Sequence, residues 1–96
     1  MKDSGAADQG QAIADIIRAL LDARTAEASI CPSEVARRAA PPKADWRELM
    51  PRVREVAATL AHRGVLTITR GEEILRPDEL SGGPIRLRRG QNWTKA

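Results

Sequence analysis

Arginine is the residue type whose number and placement could do chemistry in this chain. Thirteen of its sixteen basic residues are Arg. Three of them, Arg47, Arg52 and Arg54, crowd into Trp46-Arg47-Glu48-Leu49-Met50-Pro51-Arg52-Val53-Arg54. A guanidinium grips a guanine edge or a phosphate with a two-pronged fork, so such a group at the start of a helix suits nucleic acid. Arg37 and Arg38, on the segment before it, could hold backbone phosphate. Arg70, and Arg86 with Arg88, could do so from a flanking ribbon. Each has a plainer reading. Arg52 can pair with Glu48 or Glu55, and the stems of Arg52 and Arg54 can cover the apolar stripe that contains Val53. Arg37 and Arg38 can be an ordinary solvated pair. An Arg-rich, Ala-rich chain also fits a genome rich in G and C.

Charge is distributed unevenly. Residues 1–34 carry a net −3, residues 35–70 a net +5 and residues 71–96 a net +1, which together give the formal +3 of the whole chain. The positive field therefore lies in the segment that holds the Arg group, which favours an anionic partner there. Glu72 and Glu73 place two negative charges beside Arg70. That departs from a strongly DNA-binding ribbon and favours a protein partner at that tip.

Other chemistries find little support. Cys31 is the single cysteine and His62 the single histidine. Cys31 precedes a proline at a helix start, where the dipole lowers a thiol pKa. Without a second cysteine, a small buried or capping role is favoured over a nucleophile. His62 reads as a helix C-terminal residue. One His and one Cys do not make a metal site. Glu72-Glu73 and Asp78-Glu79 fall on expected turns with no cleft to serve, so solvation is favoured over acid–base catalysis. Gly82-Gly83 lacks the strand–glycine–helix setting of a phosphate loop. The chain therefore reads as no enzyme, with no cofactor and no small-molecule ligand.

Ninety-six residues suffice for one small domain. With two Trp and no Phe or Tyr, the core must be built from Ile, Leu, Val and Ala, which suits close-packed helices. A lone cysteine excludes an internal disulfide. The first residues have no apolar run like a signal peptide's, and no stretch approaches the roughly 20 apolar residues of a membrane span. These features predict a cytoplasmic protein with no membrane partner.

The elements that must position the arginines follow from periodicity. Residues 1–10 read as a flexible N-terminus. From Gln11 to Arg24, Ile13, Ile16, Ile17, Leu20 and Leu21 recur at spacings of three and four, the mark of an amphipathic helix. Ser29-Ile30-Cys31 is a stub of strand that should pair with the ribbon. Pro32 fits the first position of a second helix, with Glu34 in its first turn, and Ala40-Pro41-Pro42 ends it. Asp45 is an N-cap candidate. Pro51 leaves two readings: one kinked helix from Trp46 to His62, or a turn over Trp46–Met50 with Pro51 opening the main helix. On either, Leu49, Val53, Val56, Ala57 and Leu60 form the buried stripe. Gly64 supplies a left-handed stop. Val65–Thr69 and Ile74–Arg76 make a hairpin about Gly71, and Ile85–Arg88 alternates as a further short strand. Trp46 anchors the core at the helix start. Trp93 either folds back or stands exposed as a partner anchor. Residues 90–96 read as a loosely held tail.

With those residues in hand, the chain resembles a bacterial family known as domain of unknown function 3253. The resemblance rests on Ile30-Cys31-Pro32-Ser33-Glu34-Val35-Ala36-Arg37, Trp46–Arg54, Gly64-Val65-Leu66-Thr67-Ile68-Thr69 and Gly83-Pro84-Ile85-Arg86-Leu87, and covers roughly residues 11–89. It implies a winged helix and brings no established activity. A cysteine-rich segment found beside the domain in some relatives is missing here, so it carries no metal-linked role over to this chain.

The expectation is thus an α+β winged helix-turn-helix over residues 11–89, with three main helices and a small two- or three-stranded antiparallel sheet. The function it suggests is binding of double-stranded DNA through Arg47, Arg52, Arg54, Arg37, Arg38, Arg70 and Arg86, in transcriptional regulation. The alternative is a protein–protein interaction or dimerisation module that binds no nucleic acid. The acidic N-terminal third, the acidic ribbon tip and Trp93 motivate it.

Overall fold

The computed structural model describes residues 4–80 and 83–94, with the backbone alone described for residues 4–8. Helix α1 runs Ser4–Asp22. Its stripe of Ile13, Ile17, Leu20 and Leu21 is buried. The helix starts well before Gln11, so from Ser4 onward the stretch expected to be flexible is helical. Residues 1–3 of that expectation lie outside the described residues. Arg89 terminates α1 from afar: its Nη2 donates to the carbonyls of Leu21 and Arg24, both at 3.0 Å. A cation there complements the negative end of the helix dipole.

Strand β1, Ser29–Ile30, leads to helix α2, Pro32–Ala39. Pro32 sits in the first turn of α2, where its missing N–H is not needed. Cys31 is the N-cap residue, and its N–H donates to the Glu34 carboxylate at 3.3 Å. Ala40 is extended, as the residue before a proline prefers, and the helix stops.

Pro51 decides the next segment in favour of the broken reading. Trp46–Leu49 is a 3-10 turn, capped by Asp45, whose Oδ1 accepts from the Arg47 N–H at 3.0 Å. Helix α3 is Met50–His62, with Pro51 in its first turn. Val53, Val56, Ala57 and Leu60 are buried, and Leu49, outside α3, is half-buried. Gly64 has φ +76°, the left-handed conformation that ends the helix.

Strands β2 (Leu66–Arg70), β3 (Glu73–Leu75) and β4 (Arg86–Arg89) follow. The sheet has four strands in the order β1-β4-β2-β3, all pairs antiparallel. This corrects the expectation of two or three strands. The stub joins the sheet by pairing Ser29 with Arg88 and Ile30 with Leu87 on β4, not on the hairpin. Two residues carry almost no strand signal of their own. What places them is that Ile30 and Leu87, both fully buried, share the face that packs on the helices. Because β4 lies between β1 and β2, the chain goes out from β2 to β3 at the sheet edge and must come back past β2 to reach β4, and this 70–85 excursion is described except for residues 81–82. Among the described residues, three α-helices and one antiparallel sheet make an α+β fold.

Of the expected tail, residues 90–94 are described and residues 95–96 lie outside the described residues. The Gly90 N–H donates to Val65 and the Asn92 N–H to Gly64, both at 2.8 Å. Trp93 is half-buried against the core, with Arg89 over its ring at 5.3 Å. The chain from residue 90 to Trp93 is therefore fastened rather than loose, and Trp93 folds back instead of standing free.

Candidate nucleic-acid interface

Trp46 organises the cationic surface. The 3-10 turn sets its ring half-buried at the start of α3, against the side of α2. Arg37 lies over that ring at 4.6 Å and Arg47 at 4.7 Å from its centroid. Both guanidiniums thus share one indole, the geometry of a cation–π contact. Arg47 also lies 3.4 Å from the Asp45 carboxylate, with both side chains more than half exposed. Such a pair is screened and contributes little. Arg38, beside Arg37 on α2, is exposed and makes no hydrogen bond or ion pair among the described residues. The fold therefore gathers three of the expected residues, from two elements that are separate in sequence.

The group Arg47, Arg52 and Arg54 is not gathered. Successive helix positions turn by about 100°, so residues two apart lie on nearly opposite sides. Arg52 leans toward α1: a methyl group built at Gly10 would meet its Nη2 at 2.7 Å. It also pairs with Glu55, one turn along α3, rather than with Glu48. Between the two helices, Gly10, Ala14, Val56 and Leu60 help to line an open cleft of about 210 Å³ rimmed by Arg52 and Arg63.

Arg54 points the other way, into the 70–85 excursion. Its Nη1 donates to the Leu80 carbonyl at 2.9 Å and its Nη2 to the Gly83 carbonyl at 2.8 Å. Arg70 reaches the same loop, its Nε donating to the Pro84 carbonyl at 3.3 Å. These two arginines fasten the loop. Arg86 is fastened as well: Nε donates to the Ser29 hydroxyl at 3.0 Å and Nη2 to the Ser29 carbonyl at 3.1 Å. It ties β1 to β4.

Two further polar groups stand out, and the first, the pairing of Arg24 with Glu34, escaped sequence reasoning. Arg24 forks Glu34 through contacts of 3.3 and 2.7 Å, joining the end of α1 to the first turn of α2. That hydrogen bonding holds the Glu34 carboxyl below the usual range, against the opposing effect of its partial burial. Glu34 in a first turn was a visible signal, whereas nothing near Arg24 pointed to it. The second group is Cys31. Partial burial pushes its thiol up, but hydrogen bonds from the Ser33 hydroxyl and backbone and the charge of Arg86 outweigh that, and the thiol lies below its ordinary value. The Ser33 hydroxyl is 3.0 Å from Sγ.

Among the described residues no group of three His, Cys, Asp or Glu side chains could hold a metal ion, and no helix is long and apolar enough to cross a membrane. The site is thus a set of exposed guanidiniums on an α+β scaffold. The chain matches, over residues 10–90, the family described as Protein of unknown function (DUF3253). It belongs to that family, as the sequence resemblance implied. No curated protein matches the chain.

Proposed function

We propose that this chain is a winged helix-turn-helix module that binds double-stranded DNA. In this reading α2 and α3 are the helix pair and the 70–85 excursion is the wing. One observation carries it: Arg37 and Arg47 are held over Trp46 at the start of α3, at 4.6 and 4.7 Å. Cations already steadied on a ring lose less freedom when they meet a phosphate or base edge. Arg38 extends the surface along α2, and residues 35–70 carry a net +5. Arg54 and Arg70 support binding indirectly, by shaping the wing, and Arg52 and Arg86 lie at its margins. The reading would place the chain among cytoplasmic transcriptional regulators. Catalysis and cofactors are no part of it.

The test is a fluorescence-anisotropy titration with mixed-sequence duplex DNA at low and physiological salt. Contact with about four phosphates predicts a log–log salt slope near −3.6. The double variant Arg37→Ala/Arg38→Ala should flatten that slope by about 1.8 without loss of fold. Absence of binding at low salt would defeat the proposal. It would favour the second reading, a protein-interaction module, which Glu72 and Glu73 on the wing and an Ile74 that is 68% exposed support.

A further inference from the structure

β3 is an edge strand, paired with β2 on one side and with no described strand on the other. Its hairpin pairs Arg70 with Glu73, then Thr69 with Ile74, then Ile68 with Leu75. Gly71, at φ +61°, opens the two-residue turn. Hydrogen-bonded and non-bonded pairs alternate along an antiparallel ladder, and the pair that closes a two-residue turn is bonded. Thr69 and Ile74 are therefore a non-bonded pair. The N–H and C=O of Ile74 point away from β2, toward the open edge.

The side chains on this edge complement themselves. Ile74 lies on the face opposite Leu75, which is buried, and Glu72, in the turn, and Arg76, just past β3, flank it in the chain. Ile74, at 68%, is the large apolar side chain left exposed among the described residues. Glu72 and Arg76 have no side-chain hydrogen bond or ion pair among the described residues. We propose that β3 pairs antiparallel with β3 of a second copy, centred on Ile74. A two-fold axis normal to the sheet sets Ile74 against the second copy's Ile74. It also sets Glu72 opposite the second copy's Arg76, and Arg76 opposite its Glu72.

The neighbouring registers that keep each face on its own side are worse. A shift toward the turn sets Glu73 against Glu73, like charges directly opposed. A shift the other way sets Arg76 opposite Ile74 and Glu72 toward Asp78, which loses both opposite-charge pairs. Open edges in natural sheets are usually blunted by charge, proline or a bulge. Here the two charges flank an apolar centre with opposite signs, which invites an identical strand. Two short strands bury less than the roughly 1,200–2,000 Å² of a stable interface, so the dimer is weak. The pairing holds whether or not the chain binds DNA.

Sedimentation equilibrium of the full chain, from micromolar to millimolar, tests it. A reversible monomer–dimer equilibrium is expected. Ile74→Lys, Glu72→Arg and Arg76→Glu should each weaken it roughly tenfold, with circular dichroism unchanged. Mixing the Glu72→Arg and Arg76→Glu proteins should restore a dimer tighter than either forms alone, because both opposed pairs are then attractive. A monomer throughout the range overturns the proposal, as does a dimer indifferent to all three substitutions. Weakening by Ile74→Lys with no preference for the mixed dimer overturns the Ile74-centred register.

Discussion

Arg54 donates to the carbonyl of Leu80 at 2.9 Å, across 26 positions of sequence, and so couples α3 to the loop of the wing. Its second terminal nitrogen takes the Gly83 carbonyl in the same loop. A hydrogen bond from a charged group contributes about 1.5–3 kcal/mol, less when solvent competes. Arg54→Ala should therefore cost about 1–2 kcal/mol and lower the melting temperature by about 4–8 °C per kcal/mol. Amide exchange should quicken in residues 76–80 and 83–85 and stay slow in α1. The exposed Arg38, changed to Ala, should leave the melting temperature in place. Equal melting temperatures for the two variants would mean that Arg54 does not hold the loop.

A pH-dependent effect belongs to Glu34. Arg24 holds its carboxyl below the ordinary range in the folded chain. A carboxylate with a depressed folded pKa adds stability above its unfolded value, near 4.3, and that gain is lost as pH falls through the folded value. The side chains are 36% and 40% exposed, so solvent screens the pair and the effect is modest. Glu34→Gln should lower stability at neutral pH and leave the variant less sensitive to acid below about pH 4.3. Urea midpoints measured across that range for both proteins check this. Parallel pH curves would remove Glu34 from the account.

What could be read from sequence was whatever is encoded locally. Ile13, Ile17, Leu20 and Leu21 announced α1 by spacing, and Val53, Val56, Ala57 and Leu60 announced α3. Asp45, Pro32 and Gly64 marked their boundaries through capping and proline geometry that need no knowledge of distant partners. The start of α1 was missed because Gly5, Ala6 and Ala7 show no apolar periodicity. Ile30 was assigned to the wrong neighbour because a two-residue strand takes its place from whichever strand presents a buried partner, here Leu87. The candidate site was read least well. Arg37 and Arg47 meet only because the 3-10 turn places Trp46 between α2 and α3. Arg54 and Arg70 looked like ligand-facing cations, and nothing in their own surroundings reveals that loop carbonyls take them.

Cys31 offers a test of local electrostatics. Burial opposes the thiolate, while the Ser33 hydrogen bonds and Arg86 favour it and prevail. Ser33→Ala should therefore raise the pH midpoint of Cys31 alkylation, and Arg86→Ala should move it the same way by a smaller amount. A midpoint that Ser33→Ala leaves unchanged would show that the hydroxyl, 3.0 Å from Sγ, does not stabilise the charge.

The last expectation separates two glycines that are required for different reasons. Gly71 has φ +61° with nothing within 4 Å of an added methyl group. Gly71→Ala thus brings only left-handed backbone strain, about 1–2 kcal/mol. At Gly90 the obstacle is backbone: an added Cβ would overlap the Gly64 carbonyl oxygen and lie 2.9 Å from the Leu66 N and C atoms. Main-chain atoms of β2 and its approach cannot move aside as a flexible side chain does. Gly90→Ala must push the end of the chain outward, breaking the bonds of Gly90 to Val65 and Asn92 to Gly64. A cost of roughly 3 kcal/mol or more is expected, a large share of the 5–15 kcal/mol typical of a small domain. Urea unfolding of the two variants decides it. If Gly90→Ala is no worse than Gly71→Ala, the close packing of the chain end on β2 is not what fastens residues 90–93.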